Sequence, residues 1–379
     1  MSRIFSIFAA KQSNNNMKDF SHFGLKRRIL PDYNYNALWL GNSLKTIRFG
    51  EGHAKELPYT CKEFFDIAIN NRCNAQCNFC YTSALKSGSD YKNPGILWTK
   101  YINKFCEDKV YDLSNLDTIK DEVLDVLIPK EKRAMLIERG SKTKITYTTK
   151  PFQIAIGSTG EPTIHPEFCS FLKAVYDTNV VPNYTTNGIL LAYAHDVYAN
   201  TWKTRGKTDA EIHEYVQRSH ELLDYTKKYV GGVAVSYGNK LIRPFAEEAI
   251  KSLLLYGDCH INIHHLIGTN EDVDELVKIA KDFGDDIKYH VLLPLMAHGR
   301  SKESMKPETF EYLEEQIIKN DIKNVAFGAN FSPYLDKSKI KTWNYPPESL
   351  SANMLLKEDK VIITPSSFNL TPVETIEFT

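Results

Sequence analysis

The chain has 379 residues and a mass of 43.4 kDa, and its 42% hydrophobic and 25% charged content excludes a disordered chain or a disulfide miniprotein. Its 47 basic and 47 acidic residues cancel, so neither nucleic acid nor an anionic membrane is expected to be bound through bulk charge. No apolar run approaches the roughly 18–20 residues of a transmembrane helix, and residues 4–10 are too short for a signal-peptide core, so a cytoplasmic location is expected.

Charge is uneven along the chain. Residues 1–60 hold nine Lys/Arg against four Asp/Glu, densest at Lys26-Arg27-Arg28, which reads as a solvated surface rather than a binding arm. Residues 37–49 (ALWLGNSLKTIRF) read as a hairpin turning at Gly41-Asn42. From there short β-rich runs alternate with helical patterns. The runs are 64–70 (FFDIAIN), 152–157 (FQIAIG), 180–186 (VVPNYTT), 232–237 (GVAVSY), 260–267 (HINIHHLI) and 287–295 (IKYHVLLPL).

The intervening segments carry helix signals. Residues 166–177 put Phe168, Leu172, Val175 and Tyr176 on one face. Thr208 and Glu211 form a capping box ahead of Ile212, Tyr215, Val216, Leu222 and Leu223. The patterns over 244–256 and 271–283 stop at Gly257 and Gly284, each placed as a C-cap, and 308–319 follows the sixth strand. Such alternation predicts right-handed crossovers and a parallel sheet, hence an α/β fold. A partial barrel and a doubly wound sheet remain equally open on this pattern. Segments 82–150 and 188–230 exceed simple crossovers and read as lids or binding loops. The division expected is an N-terminal extension with a β-hairpin (1–59), a core domain (60–320) carrying these two insertions, and a small β-rich C-terminal cap (321–379).

Seven cysteines are an odd number for a disulfide framework. Three crowd into Arg72-Cys73-Asn74-Ala75-Gln76-Cys77-Asn78-Phe79-Cys80-Tyr81, directly after the first strand of the alternating series. Thiolates converging from one loop chelate a soft metal centre. Structural zinc wants four protein ligands in paired knuckles, and no second pair exists here. An iron–sulfur cluster held by three cysteines leaves one iron open to an exogenous ligand.

The spacing C-x-x-x-C-x-aromatic-C, with Phe79 at the aromatic position, resembles the signature of the radical S-adenosylmethionine enzymes. Other features stand in the same order as in that family. Gly157-Ser158-Thr159-Gly160-Glu161-Pro162 is similar to its Gly-Glu-Pro turn, and Thr185-Thr186-Asn187-Gly188 to its T-N-G. Ser236 resembles the serine that meets the cofactor carboxylate, and Leu292-Leu293-Pro294 resembles the apolar strand beside the adenine. The likeness covers about residues 60–300 and implies a partial (β/α)6 TIM-like barrel. It further implies that Cys73, Cys77 and Cys80 hold a single [4Fe–4S] cluster, with S-adenosylmethionine on the fourth iron. Phe79, Tyr81, Gly160, Glu161, Thr186, Asn187, Ser236, His264 and Leu293 are then the cofactor-binding candidates. His264 and His265 point to opposite faces of their strand, and a strand histidine is as readily a core residue as a ligand. No residue is assigned a catalytic role. Cys61, Cys106, Cys169 and Cys259 stand singly and read as buried thiols.

In the family, one electron cleaves the cofactor to a 5′-deoxyadenosyl radical that abstracts hydrogen from a substrate, and an electron donor such as flavodoxin or ferredoxin is implied. Residues 327–368 are similar to the SPASM-like C-terminal extension of peptide-modifying members, without its cysteines; the stretches concerned include Tyr345-Pro346-Pro347-Glu348-Ser349 and Thr364-Pro365-Ser366-Ser367-Phe368. A peptide or protein side chain is the leading substrate expectation. A nucleoside or other small metabolite, and a non-catalytic iron–sulfur or zinc sensor, are the alternatives.

Overall fold

The computed structural model describes residues 25–30, 35–40, 45–49, 57–112, 144–335, 338–340 and 350–378. The Gly41-Asn42 turn, residues 113–143 of the long first insertion and the 345–349 stretch lie outside these residues. The chain forms two compact units, one from residues 1–53 with 108–149 and one from 54–107 with 150–379.

Strands β1 (Leu25–Leu30), β2 (Tyr35–Leu40) and β3 (Lys45–Phe49) belong to the first unit, β4 (Phe64–Ala68) opens the second, and β5 (Asp108–Asp112) and β6 (Lys144–Thr148) return to the first. The first unit is a sheet in the order β3-β2-β1-β6-β5. Its β2–β3 pair is the hairpin expected from the sequence, with Leu40 opposite Lys45. The Lys26-Arg27-Arg28 patch is not a solvated surface. Lys26 and Arg28 are buried, Lys26 over the Trp39 ring and Arg28 over Tyr35. Both point to the same side of β1, as period-two alternation requires, and their apolar stems and cation–π contacts let them fill a core.

The second unit is built on a sheet in the order β12-β11-β10-β9-β8-β7-β4-β13-β14-β15. Its remaining strands are β7 (Gln153–Ile156), β8 (Val181–Thr186), β9 (Gly232–Ser236), β10 (His260–Ile267), β11 (Tyr289–Pro294), β12 (Val325–Phe327), β13 (Ser351–Lys357), β14 (Lys360–Thr364) and β15 (Glu374–Glu377). From β4 to β12 all neighbours are parallel and follow chain order. A doubly wound sheet would reverse its order at a switch point. This one does not, and so it is singly wound, like an unclosed barrel. Closure is absent because β4 pairs with β13 on its free side.

Helices α1 (Pro94–Phe105), α2 (Phe168–Asp177), α3 (Asp209–Tyr229), α4 (Arg243–Ser252), α5 (Asn270–Phe283) and α6 (Pro307–Lys319) supply the crossovers. Leu97, Trp98 and Tyr101 of α1, Phe171 and Leu172 of α2, and Leu222 and Leu223 of α3 join Phe65, Ile67, Ile154, Ile156, Val233, Val235, Ile261 and Ile263 in one apolar cluster. Nearly half of the long β8–β9 connection is its own crossover helix, begun by the Thr208–Glu211 capping box. After α4 the chain runs on in π-helical form to Gly257, and the left-handed residue that ends it is Asp258, not the glycine. An aspartate tolerates that conformation because its short polar side chain can bond locally.

Residues beyond 320 extend the main sheet at both edges. β12 adds to β11, while β13 lies parallel to β4 with Met354 beside Ile67 and Asn353 beside Asp66. Ala352, Met354 and Leu356 enter the same apolar cluster as the crossover helices. No helix of the described residues is long and apolar enough to cross a membrane. If β13 is part of the core, Met354→Ala should lower unfolding stability by about 2–5 kcal/mol, the range for truncating a buried Met. Urea denaturation monitored by circular dichroism measures it; a loss no larger than that of a surface substitution would detach the segment from the core.

Candidate functional site

The loop that follows β4 is tied down before the cysteines begin. Asn70 donates from Nδ2 to the Glu161 carbonyl at 2.9 Å, and its own carbonyl accepts from Thr159 Oγ1 at 2.6 Å. Arg72 grips Asp90 with two nitrogens, at 3.2 and 2.6 Å, and donates to the Ile164 carbonyl. The Arg72 carbonyl accepts from the Glu161 amide at 2.8 Å. The 157–162 turn after β7 is therefore stitched to the cysteine loop. Gly160 has φ +66°, and a Cβ there would collide with Asn70 Oδ1 and come within 2.7 Å of the Arg72 carbonyl. Only glycine fits that approach.

Glu161 is the pin of this arrangement. Its side chain is buried and accepts from the Thr163 amide (3.2 Å), Thr163 Oγ1 (2.7 Å) and Thr186 Oγ1 (2.8 Å) on one oxygen, and from the Asn187 amide (2.7 Å) on the other. Burial pushes its carboxyl upward, while these hydrogen bonds pull the other way. Asn187 then reaches the cysteine loop, with Nδ2 at 2.8 Å from Asn74 Oδ1 and 3.9 Å from Cys73 Sγ. Gly160, Glu161, Thr186 and Asn187 are thus drawn together with Cys73 at adjoining strand ends.

All three loop cysteines are free thiols that receive polar neighbours. Cys73 Sγ accepts from the Ala75 amide at 3.5 Å, and Cys77 Sγ accepts from Asn239 Nδ2 at 3.1 Å. Cys80 Sγ lies 3.4 Å from Thr82 Oγ1. Burial and then the Glu161 charge push the Cys73 thiol up to about 11, and burial pushes Cys77 up against the Asn239 bond. Both are protonated at neutral pH until a cation is present to hold the thiolates. Among the described residues no three His, Cys, Asp or Glu side chains converge on one metal-ion position. Three thiols on one loop, two of them given N–H donors, are a soft donor set of the kind that fits an iron–sulfur cluster.

Tyr81 donates to the Ser158 carbonyl at 2.7 Å and stacks on Phe368 with ring centroids 4.6 Å apart. Phe368 also meets His298 edge-on at 5.6 Å. Phe79 lies where a Cβ on Gly238 would come 3.3 Å from its ring. Ser236 and His264 are register partners on β9 and β10, and Leu293 is the partner of Leu266 on β11. His264 stays neutral, burial pushing it down to about 4. His265 faces the helix layer instead, 3.0 Å from His290.

Asn239 and Arg300 were not singled out from sequence. Asn239 sits three residues past β9, where strand-end reasoning could have found it. Arg300 donates its amide to the Cys80 carbonyl, and its charge favours the Cys77 thiolate. It is held there by Gly299, at φ +62°, whose missing Cβ would collide with the carbonyls of Cys80 and Tyr81. No local pattern marks this contact.

An open, singly wound parallel α/β sheet with a three-thiol loop at its strand ends is the class that fold and site define. No protein-family model and no curated protein matches the sequence. Solved structures similar to it include three with molecules bound. SuiB of Streptococcus suis bound to S-adenosylmethionine shares 13% identity at a TM-score of 0.47 over 81% of this chain, which spans 60% of SuiB's length. TYW1 with a lysine-pyruvate adduct bound shares 15% at 0.34, over 67% of this chain and 71% of that one. BtrN in complex with AdoMet and 2-DOIA shares 12% at 0.27, over 82% and 74%.

Glu161→Ala strands the Thr186 hydroxyl and the Asn187 and Thr163 amides in a buried site, and should cost about 3 kcal/mol or more. Glu161→Gln, which keeps one acceptor oxygen, should cost clearly less. Denaturant unfolding of both variants measures the difference, and equal small losses would show that the carboxylate is not the brace.

Proposed function

We propose that the chain is a radical S-adenosylmethionine enzyme. The observation that carries this reading is the three-thiol loop, with amide donors on Cys73 and Cys77, pinned through Glu161 to the turns after β7 and β8. Cys73, Cys77 and Cys80 would each hold one iron of a [4Fe–4S] cluster, and S-adenosylmethionine would lie against Gly160, Thr186, Asn187, Ser236, His264 and Leu293. When bound, the pair supplies a reductively generated 5′-deoxyadenosyl radical.

The chain's own residues do the rest. Glu161 is spent on four internal hydrogen bonds, so its part is to fix the turn whose backbone faces the cofactor. Asn239 and Arg300 offset negative charge at Cys77. Neutral His264 and apolar Leu293 line the concave face without adding charge there. Tyr81, held by its hydroxyl and by Phe368, walls the mouth of the sheet. A peptide side chain is the substrate we favour, because the C-terminal segment that is similar to peptide-modifying enzymes brings Phe368 onto the residue next to Cys80.

Anaerobic reconstitution should give about four iron and four sulfide per chain, with an absorbance near 400 nm. Dithionite and S-adenosylmethionine should then yield 5′-deoxyadenosine. Cys73→Ala, Cys77→Ala and Cys80→Ala should each lose the chromophore, whereas Cys61→Ala, Cys106→Ala, Cys169→Ala and Cys259→Ala should keep it. Bound zinc without sulfide, or loss of the cluster in Cys106→Ala, would overturn the reading.

A further inference from the structure

The two faces of the main sheet differ in what reaches them. On β4, β7, β10 and β11 sealed and partly accessible residues alternate. The sealed set, Phe65, Ile67, Ile154, Ile156, Ile261 and Ile263 among them, packs against the helices. The accessible set faces the other way. It holds Asp66 on β4, Gln153 and Ala155 on β7, Asn183 on β8, and Asn262 and His264 on β10. These residues keep partial exposure, so this face of the strands is not sealed by packed side chains as the helix-side face is. Ala155 and Gly232, in the same register row as Asp66 and Asn183, contribute almost no side chain and leave room.

Asp66 is the charged strand residue of this face among β4, β7, β8, β9, β10 and β11. It has no hydrogen bond or ion pair among the described residues, and burial raises its carboxyl to about 6 with no cation to offset it. Its register partner on β13 is Asn353, also on this face. Asn353 donates from Nδ2 to Thr364 Oγ1 at 2.9 Å, and the Thr364 hydroxyl spends its proton on the Ser366 carbonyl. That chain of bonds fixes the amide's orientation and leaves Asn353 Oδ1 without a donor. Asn262 Oδ1, across the face on β10, lacks one as well. Asn183, by contrast, donates from Nδ2 to the Ile154 carbonyl at 3.0 Å and to Gln153 Oε1 at 3.4 Å. A carboxylate and two amide oxygens without donors, on one concave face, are an unmet demand for N–H groups carrying positive charge.

We propose that Asp66, with Asn353 beside it, is the binding site for a cationic group of the substrate, an ammonium or a guanidinium. The Tyr81 hydroxyl feels the Asp66 charge, so the site lies within electrostatic reach of the residue next to Cys80. The inference rests on the radical-enzyme reading only in calling the occupant a substrate.

Calorimetric titration of the reconstituted full chain with n-butylammonium, n-butylguanidinium and the neutral control n-butanol tests it. Saturable uptake of at least one cation and none of the alcohol is expected. Asp66→Asn, which keeps the shape and removes the charge, should weaken that uptake at least about tenfold, the loss of one charge-assisted contact. Thermal unfolding at pH 8 confirms that the variant is folded, and it should be no less stable than the parent because a buried charge has gone. Equal uptake by Asp66→Asn, or no saturable uptake of either cation by the parent, would overturn the assignment. Iron and sulfide content separates the two readings. A chain that binds the cations but assembles no cluster fails the radical reading alone, and one that assembles the cluster but ignores the cations fails this one alone.

Discussion

One buried carboxylate holds the site together. Glu161 takes hydrogen bonds from Thr163 in its own turn and from Thr186 and Asn187 at the end of the next strand. Its amide meanwhile binds the Arg72 carbonyl at the entrance to the cysteine loop. Three consecutive strand ends, β4, β7 and β8, are thereby fixed to each other by polar bonds that water does not reach. Such a network is rigid when every member is satisfied and costly when one is missing. The loop needs that rigidity. Gln76 sits at φ +50°, and the stretch from Cys73 to Cys80 has no regular secondary structure of its own.

The sheet beneath obeys a simpler rule. Period-two alternation sends one set of side chains into the helix layer and the other to the concave face. The first set is almost wholly aliphatic and aromatic. The second mixes Asn, Gln, Ser, His and a single Asp with small residues and with Leu266, Val291 and Leu293. Polar groups on a concave strand face are expensive unless they bind one another or a ligand. Asn183 bonds to Gln153 and the Asn353 N–H to Thr364, whereas the Asp66 carboxylate and the amide oxygens of Asn262 and Asn353 do neither among the described residues. The same alternation explains why adjacent His264 and His265 differ, one bordering the concave space and the other paired with His290 among the helices.

How much of this was legible beforehand depended on the range of the interaction. β10 spans the residues its alternation marks, and the Thr208–Glu211 box opens α3 as its spacing requires, because both are local. The cysteine spacing and the order of the strand-end turns were legible for the same reason. What is set by distant segments was not. Lys26 and Arg28 carry charge, and only their contacts with Trp39 and Tyr35 show that they are core residues. β13 reads as part of an appended cap, whereas the free edge of β4 draws it into the main sheet. Arg300 reaches Cys80 across more than two hundred residues, and no periodicity could have announced it. The orphaned oxygen of Asn353 is visible only once Thr364 and Ser366 are seen to fix the amide.

The chemistry of the thiols follows from the same burial that holds the loop. Cys73 lies close enough to Glu161 for that charge to add to the desolvation that keeps it protonated. The carboxylate cannot be moved away, because it is the pin between the turns. A thiolate at Cys73 is therefore stable only with a strong positive centre in front of it, and binding such a centre must expel the proton. Asn239 lowers this barrier at Cys77 by donating to sulfur, and Arg300 adds a positive charge near it. Cys73 has weaker help, from the Ala75 amide and the distant Asn187 side chain. The two thiols are therefore unequal: burial raises both, but Cys77 has a close N–H donor and a positive charge near it, whereas Cys73 has the Glu161 charge beside it.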